Sequence, residues 1–268
     1  MAKETKEPIT QEHMLKDGKS VNITQFTRKI GNNEVHKYMV TYPDVGDGWD
    51  ATYSGAELSS VTALNTHTAG DTFGIAVSWA TKLIRNSKPT NFNAANDDAA
   101  KSIAEGNSLH ECIERYIKSR GKDIDEENDM FTLWLKDVGS KHDWAASEVF
   151  LYHPVLNYGG TADAISVDPK TMEPVIWDWK TKNRETYEKY GPVLYYKDHA
   201  QLAAYANALD NMGSIYTPTK GNIVYIMRDG SYADVVPVDL QLSTEIFGLS
   251  ARMAHLVGQL TGSIKGAK

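Results

Sequence analysis

Three side chains stand out for the chemistry they could share: Asp163, Asp178 and Lys180. The segment Val175-Ile176-Trp177-Asp178-Trp179-Lys180 alternates in character, and side chains of a β-strand alternate between its two faces. Val175, Trp177 and Trp179 then share one face, which reads as buried. Ile176, Asp178, Lys180 and Lys182 share the other. Asp168 to Pro174 reads as a hairpin connection from the preceding strand. With the turn centred between Lys170 and Thr171, Asp163 falls directly opposite Asp178. Opposed residues of an antiparallel pair have Cβ atoms about 5 Å apart, and like charges there are destabilising. Two carboxylates so placed need a raised pKa or a cation between them. With Lys180 one step along the same face, a divalent metal is the economical reading. The bare pattern acid-x-Lys is weak, since it recurs at Glu4-Thr5-Lys6 and Asp17-Gly18-Lys19. On its own it is usually a solvated strand face. The partner at Asp163 is what sets this copy apart.

The elements that must position these residues follow from pattern. Val35–Tyr42 and Trp49–Tyr53 read as strands around turn chemistry at Pro43, Gly46 and Gly48. A helical stretch begins at Ser60 and is clearest over Thr72–Ile84, and Pro89–Asn96 reads as a loop. A long helix is expected from about Asp97 to Ser119, with Leu109, Cys112, Ile113, Tyr116 and Ile117 at helical spacing and Gly121 at its end. A second helix covers about Glu126–Val138. Three strands follow, Ala146–Tyr152, Gly160–Val167 and Pro174–Thr181. A helix over His199–Leu209 precedes a hairpin, Asn222–Met227 and Tyr232–Val238, around Asp229-Gly230. Ser243 caps a final amphipathic helix reaching about Leu260. The order predicts an α/β fold with a mixed central sheet.

Composition narrows the function. The chain has 268 residues, 41% of them apolar, enough for one sizeable core. Residues 1–20 are polar and carry both signs of charge; they are expected to be a disordered tail, lacking the apolar centre of a signal peptide. No apolar run approaches the roughly 18 residues of a membrane span. One cysteine, Cys112, excludes a disulfide framework within the chain and a four-cysteine metal site. A reducing, cytoplasmic setting is expected. The net charge of −7 excludes binding to nucleic acid by bulk positive charge alone.

Several segments together resemble a family. Gly159-Gly160-Thr161-Ala162-Asp163-Ala164-Ile165, then Trp177-Asp178-Trp179-Lys180-Thr181-Lys182, then Gln201-Leu202-Ala203-Ala204-Tyr205 resemble three successive motifs of the RecB-type branch of the PD-(D/E)xK nucleases. Gly106-Asn107-Ser108-Leu109-His110-Glu111 is similar to that branch's helical histidine motif. Ser60-Val61-Thr62-Ala63-Leu64, with Trp79 later, resembles the opening of phage exonucleases and of the mitochondrial genome maintenance exonuclease.

The resemblance implies a restriction-endonuclease-like core. Residues 21–268 would form one domain, with a β/helical elaboration over about 35–96. It implies Asp163, Asp178, the Trp179 carbonyl and His110 as metal ligands, and Lys180 as the group that orients water and stabilises charge on the phosphate. Gln201 and Tyr205, one helical turn apart, would position the lysine or the substrate; read from the residues alone, they are as readily a helix face against the sheet. Glu148 and Glu114 could lie behind the ligands or simply be solvated. Hard oxygen ligands with one imidazole imply Mg²⁺ or Mn²⁺.

The implied activity is a metal-dependent DNA exonuclease acting on single strands or duplex ends. A structure-specific endonuclease and a catalytically idle nucleic-acid-binding protein are the alternatives. Replication or recombination proteins are the implied partners. The resemblance points to a phage source, and with it to a host cytoplasm. The connector Lys182–His199 interleaves basic side chains with Tyr187, Tyr190, Tyr195 and Tyr196. Such a segment could track phosphates through Lys182 and Arg184 and stack bases on Tyr187 and Tyr190; an ordinary amphipathic connector has the same composition.

Overall fold

The computed structural model describes residues 7–30, 33–42, 57–65 and 93–260. They form an α/β protein around a mixed nine-stranded sheet. In chain order the elements are β1 (Ile9–Met14), β2 (Ser20–Ile30), β3 (Asn33–Thr41), β4 (Glu57–Ser60), α1 (Val61–Asn65), α2 (Ala94–Lys118) and α3 (Asp129–Asp137). Then come β5 (Asp143–His153), β6 (Tyr158–Val167), β7 (Pro174–Lys182), α4 (Arg184–Tyr190), α5 (Tyr196–Asn211), β8 (Lys220–Met227), β9 (Ala233–Val238) and α6 (Leu240–Leu260). The strands run β1-β2-β3-β4-β6-β7-β8-β9, with β5 joined to β6. The β4–β6 and β7–β8 pairs are parallel and the others antiparallel. Among the described residues no helix is long and apolar enough to cross a membrane.

Strand β7 lies in the middle because both its faces are covered. Val175, Trp177 and Trp179 pack with Leu109 and Ile113 of α2 and with Phe131 and Trp134 of α3. Ile176 joins the opposite core with Leu202 and Ala204 of α5. The alternation therefore divides the strand as expected: tryptophans toward one helical layer, Asp178 and Lys180 toward the other. The β6–β7 register is also the expected one. Ala164 pairs with Trp177, Ile165 with Ile176, Ser166 with Val175 and Val167 with Pro174. Asp168 holds the turn, its Oδ1 accepting from the N–H groups of Lys170 (2.9 Å) and Thr171 (3.3 Å).

Three expectations need correction, and one strand is new. The polar N-terminus is not a tail over its described part. Ile9–Met14 pairs antiparallel with β2 from Ile9↔Gln25 to Met14↔Ser20. Its polar residues Gln11 and His13 turn inward, and β2 supplies the fully buried Val21 and Ile23. Strand β2 itself was not foreseen. The long helix begins at Ala94, inside the expected loop. The last helix begins at Leu240 and is capped by Asp239, whose Oδ1 accepts the Leu242 N–H at 3.0 Å, while Ser243 is buried. The expected strand Trp49–Tyr53, the helical stretch Thr72–Ile84 and Trp79 lie outside the described residues.

Candidate metal centre

The sheet opens around Asp163. Strand β6 carries β5 along one edge. On its other edge β4 takes Tyr158 and Gly159, and β7 takes Ala164 to Val167. Gly160 to Asp163 therefore border a gap. The β6–β7 ladder stops one pair short of Asp163 and Asp178. Asp163 Oδ2 instead accepts the Trp179 N–H at 2.8 Å. On the β5 side, Ser147 pairs with Ala164 and Val149 with Ala162, and the ladder skips Glu148 and Asp163 between them. Glu148 has φ +50, a left-handed backbone that residues with a Cβ seldom adopt. Asp163 thus stands between Glu148 and Asp178 at a place where neither neighbouring ladder closes. The glycines of this strand make room for rings. A Cβ at Gly160 would come 2.5 Å from the Tyr205 ring, and one at Gly159 would come 2.8 Å from Tyr38.

Helix α2 brings His110 to the same place. Its Nε2 lies 3.1 Å from the Trp179 carbonyl oxygen and its Nδ1 lies 3.7 Å from Asp163 Oδ2. A carbonyl can only accept, so Nε2 carries a proton, and Nδ1 faces the carboxylate. The Trp179 carbonyl, expected as a ligand, here orients the imidazole. His110, Glu148 and Asp163 each offer one ligand atom, all within 4.8 Å of one another. Ligands held 2.0–2.6 Å from one ion lie within about 5 Å of each other, so the spacing fits a hard divalent cation.

Asp178 is 1% exposed. Lys180 Nζ lies 2.7 Å from each of its oxygens, aligned for a hydrogen bond only to Oδ1. Oδ2 is buried and makes no aligned hydrogen bond, but the Lys180 ammonium beside it answers its charge. The donor set of two carboxylates and one imidazole, from Glu148, Asp163 and His110, fits Mg²⁺ or Mn²⁺.

The electrostatics agree. Burial pushes Glu148 up to about 8, and the charges of Asp163 and Glu114 add to the shift. Burial likewise pushes Asp178 up to about 7; Lys180 pulls it back and Asp163 pushes it further up. Burial opposes the charge on Lys180, but Asp178, Asp163 and Asp198 outweigh it and hold the ammonium above the ordinary lysine value. A cluster with three carboxylates and one fixed cation is short of positive charge.

Other expected residues divide. Tyr205 is buried, and its hydroxyl accepts from Gln201 Nε2 at 2.6 Å, a nitrogen also 3.3 Å from Thr62 Oγ1 of α1. This pair stands over the open edge of β6. Glu148, weighed only as a lesser acid, belongs to the cluster itself. Glu114 is ion-paired with Lys118 one turn on.

The residues of the connector mostly have partners within the protein. Lys182 Nζ is bound to Asp198 Oδ2 at 2.8 Å and sits 3.7 Å over the Tyr195 ring. Tyr187 is 4% exposed, stacks on Tyr195 and donates to Asp234 Oδ2 at 2.6 Å. Arg184 is shared between Glu188 (3.1 Å) and Asp229 (3.6 Å). Tyr190 alone of the four expected substrate contacts is both aromatic and open to solvent, at 51%.

No protein-family model matches the chain, and no curated protein matches it.

Proposed function

We propose that the chain is a metal-dependent nuclease on a restriction-endonuclease-like core, a member of the PD-(D/E)xK group, that hydrolyses DNA phosphodiester bonds from single strands or duplex ends. The observation that carries this reading is the position of Asp163. Its carboxylate is fixed by the Trp179 N–H between His110, Glu148 and Asp178, beside the single ammonium of Lys180. His110, Glu148, Asp163 and Asp178 would hold Mg²⁺ or Mn²⁺, which when bound neutralises a phosphate and acidifies a coordinated water.

The chain's own groups do the rest. Asp178 tethers Lys180 in its charged form, and the ammonium stabilises the charge that grows on the phosphate oxygens. The hydrogen bond between His110 Nε2 and the Trp179 carbonyl turns Nδ1 toward Asp163. Burial of Asp178 keeps bulk water from screening the lysine. The Gln201–Tyr205 pair closes the open edge of β6 and limits where a strand of DNA can lie.

The choice of exonuclease over endonuclease rests on the resemblance of residues 60–64 to the opening of phage exonucleases. The test is digestion of end-labelled single- and double-stranded DNA with Mg²⁺ or Mn²⁺ beside an EDTA control. Metal-dependent release of nucleotides from ends, with circular single strands left intact, is the expected result. Cutting of circles would make the enzyme an endonuclease. Tight binding with no cleavage in any metal would leave only a nucleic-acid-binding protein.

A further inference from the structure

We infer that Gln11, on the end strand β1, is a positioning residue for the metal centre: its carboxamide holds β5 in the conformation that aims Glu148 at the cluster. The inference rests on the reading of Glu148 as a ligand given above. Among the described residues β5 pairs only with β6, so its outer edge lacks a strand partner. At that edge Gln11 Nε2 donates to the Glu148 carbonyl at 2.5 Å, and Gln11 Oε1 accepts the Phe150 N–H at 2.8 Å. Alternate residues of a strand present their peptide groups to the same edge. One carboxamide therefore does for residues 148 and 150 what one residue of a neighbouring strand would do.

The placement matters because of where the clamp closes. Glu148 is the left-handed residue that breaks the β5–β6 ladder opposite Asp163. Such a backbone persists in a residue with a Cβ only when the surroundings over-determine it. Without the clamp the backbone at Glu148 is free to leave the left-handed region, which re-aims its Cα–Cβ bond and shifts the carboxylate relative to His110 and Asp163. Gln11 is itself held. It pairs with Ile23 of β2, and beyond the strand the Lys16 N–H donates to the Gly213 carbonyl at 2.7 Å, next to the Leu15–Ser214 bridge. An amide is the side chain that supplies a donor and an acceptor together at this reach. Glutamate lacks the donor, and asparagine is one methylene too short to span both groups.

The experiment is a double-mutant cycle on Mn²⁺ affinity, read by calorimetry on the full chain, with melting temperature recorded for each variant. Gln11→Met, which keeps the length and removes both hydrogen bonds, is expected to weaken Mn²⁺ binding about tenfold or more, as loss of an outer hydrogen bond to a metal site commonly does. In a Glu148→Gln background the same change is expected to have no further effect, because Gln11 acts through Glu148. Thr10→Ala, which removes the neighbouring Thr10–Thr24 contact on the same strand, should leave Mn²⁺ affinity unchanged. If Gln11→Met does not fold, Gln11→Asn replaces it with the same expected loss. A parent protein that binds no Mn²⁺ overturns the metal-centre reading and this inference with it. A parent that binds while the Gln11 variants bind equally well, or lose equally in both backgrounds, overturns the inference alone.

Discussion

Two polar regions meet at β7, and they differ in how their charges are answered. In the connector that follows the strand, Lys182 has Asp198, Tyr187 has Asp234, and Arg184 has Glu188 and Asp229. At the strand's centre three carboxylates, Glu148, Asp163 and Asp178, cluster beside one ammonium, and that ammonium is paired with Asp178. The connector's polarity is used up in holding α4 and α5 against the sheet. The centre's polarity is unspent. Matched charge marks architecture, and a local surplus of one sign marks a place built for something that arrives later.

The sharpest break in this comparison is Asp163→Asn. The amide can still accept the Trp179 N–H, so the fold should survive. The charge at the middle of the cluster is lost. Outer-shell changes at metal sites cost 10–100-fold in affinity, and a ligand should cost at least the upper end, about 10²-fold or more. Mn²⁺ calorimetry checks this, with cleavage expected to vanish in parallel. Lys180→Ala should also end cleavage yet leave Mn²⁺ bound, because the ammonium is no ligand. An Asp163→Asn protein that binds Mn²⁺ as the parent does would remove the centre's claim to be different from the connector.

Breaking the connector should act on stability instead. Asp198→Ala leaves Lys182 among Tyr195 and Tyr225 without its carboxylate. Removing one partner of a largely buried pair costs about 3 kcal/mol. Urea denaturation should show that loss, and Lys182→Met added to Asp198→Ala should recover much of it. Mn²⁺ affinity should not change in either variant.

The contrast also explains what could be read from the chain alone. The alternation of Val175 to Lys180 and the short turn at Asp168 were enough to place Asp178 and Lys180 on one face and to set the register of β6 and β7. Residue type carries that information directly. It does not carry partners. Lys182 and Tyr187 look like substrate contacts by composition and are tied into the protein by Asp198 and Asp234, which lie 16 and 47 residues away. Glu148 looks like any acid in a strand, and nothing local announces a left-handed backbone. Strand β1 hid for a related reason. Its inward residues Gln11 and His13 are polar, so no apolar alternation betrays it.

A third measurement uses pH. Glu148 rises in the folded, metal-free protein from its ordinary 4.5 to about 8, chiefly through burial. Between those values the folded state holds a proton that the unfolded state releases, so stability falls as pH rises across the window. Asp178, raised to about 7, acts with the same sign over its lower window. His153 acts oppositely. Burial lowers it to about 4, and its Nδ1 accepts the Val155 (3.2 Å) and Leu156 (3.1 Å) N–H groups. Its contribution is complete above about 6.5 and is lost as pH falls through 4. Denaturation in EDTA should therefore show stability declining from about pH 6.5 to 8. Glu148→Gln should reduce that decline by about 1–2 kcal/mol and raise stability near pH 8. Excess Mn²⁺ should flatten the decline in the parent and have less effect in the variant. An unchanged slope in Glu148→Gln would mean that the centre's surplus charge resides elsewhere.

The smallest expected effect tests whether anything in the connector reaches substrate. Tyr190 is exposed, with Lys189 Nζ 4.9 Å from its ring, whereas Tyr187 is buried and bonded to Asp234. An exposed ring can stack on an unpaired base, at about 1 kcal/mol at the low end of such contacts. Tyr190→Ala should thus weaken binding to a short labelled single strand by roughly fivefold, read by fluorescence anisotropy in Ca²⁺ to suppress cleavage. Lys189→Ala should lessen the salt dependence, because one fewer counterion is released on binding. Tyr187→Phe should leave both readings alone and cost about 1 kcal/mol of stability through the lost hydrogen bond. The opposite pattern, with Tyr187→Phe weakening DNA binding and Tyr190→Ala silent, would show that the α4 connector opens when DNA binds, and that its matched charges are a closed state of the substrate path rather than plain architecture.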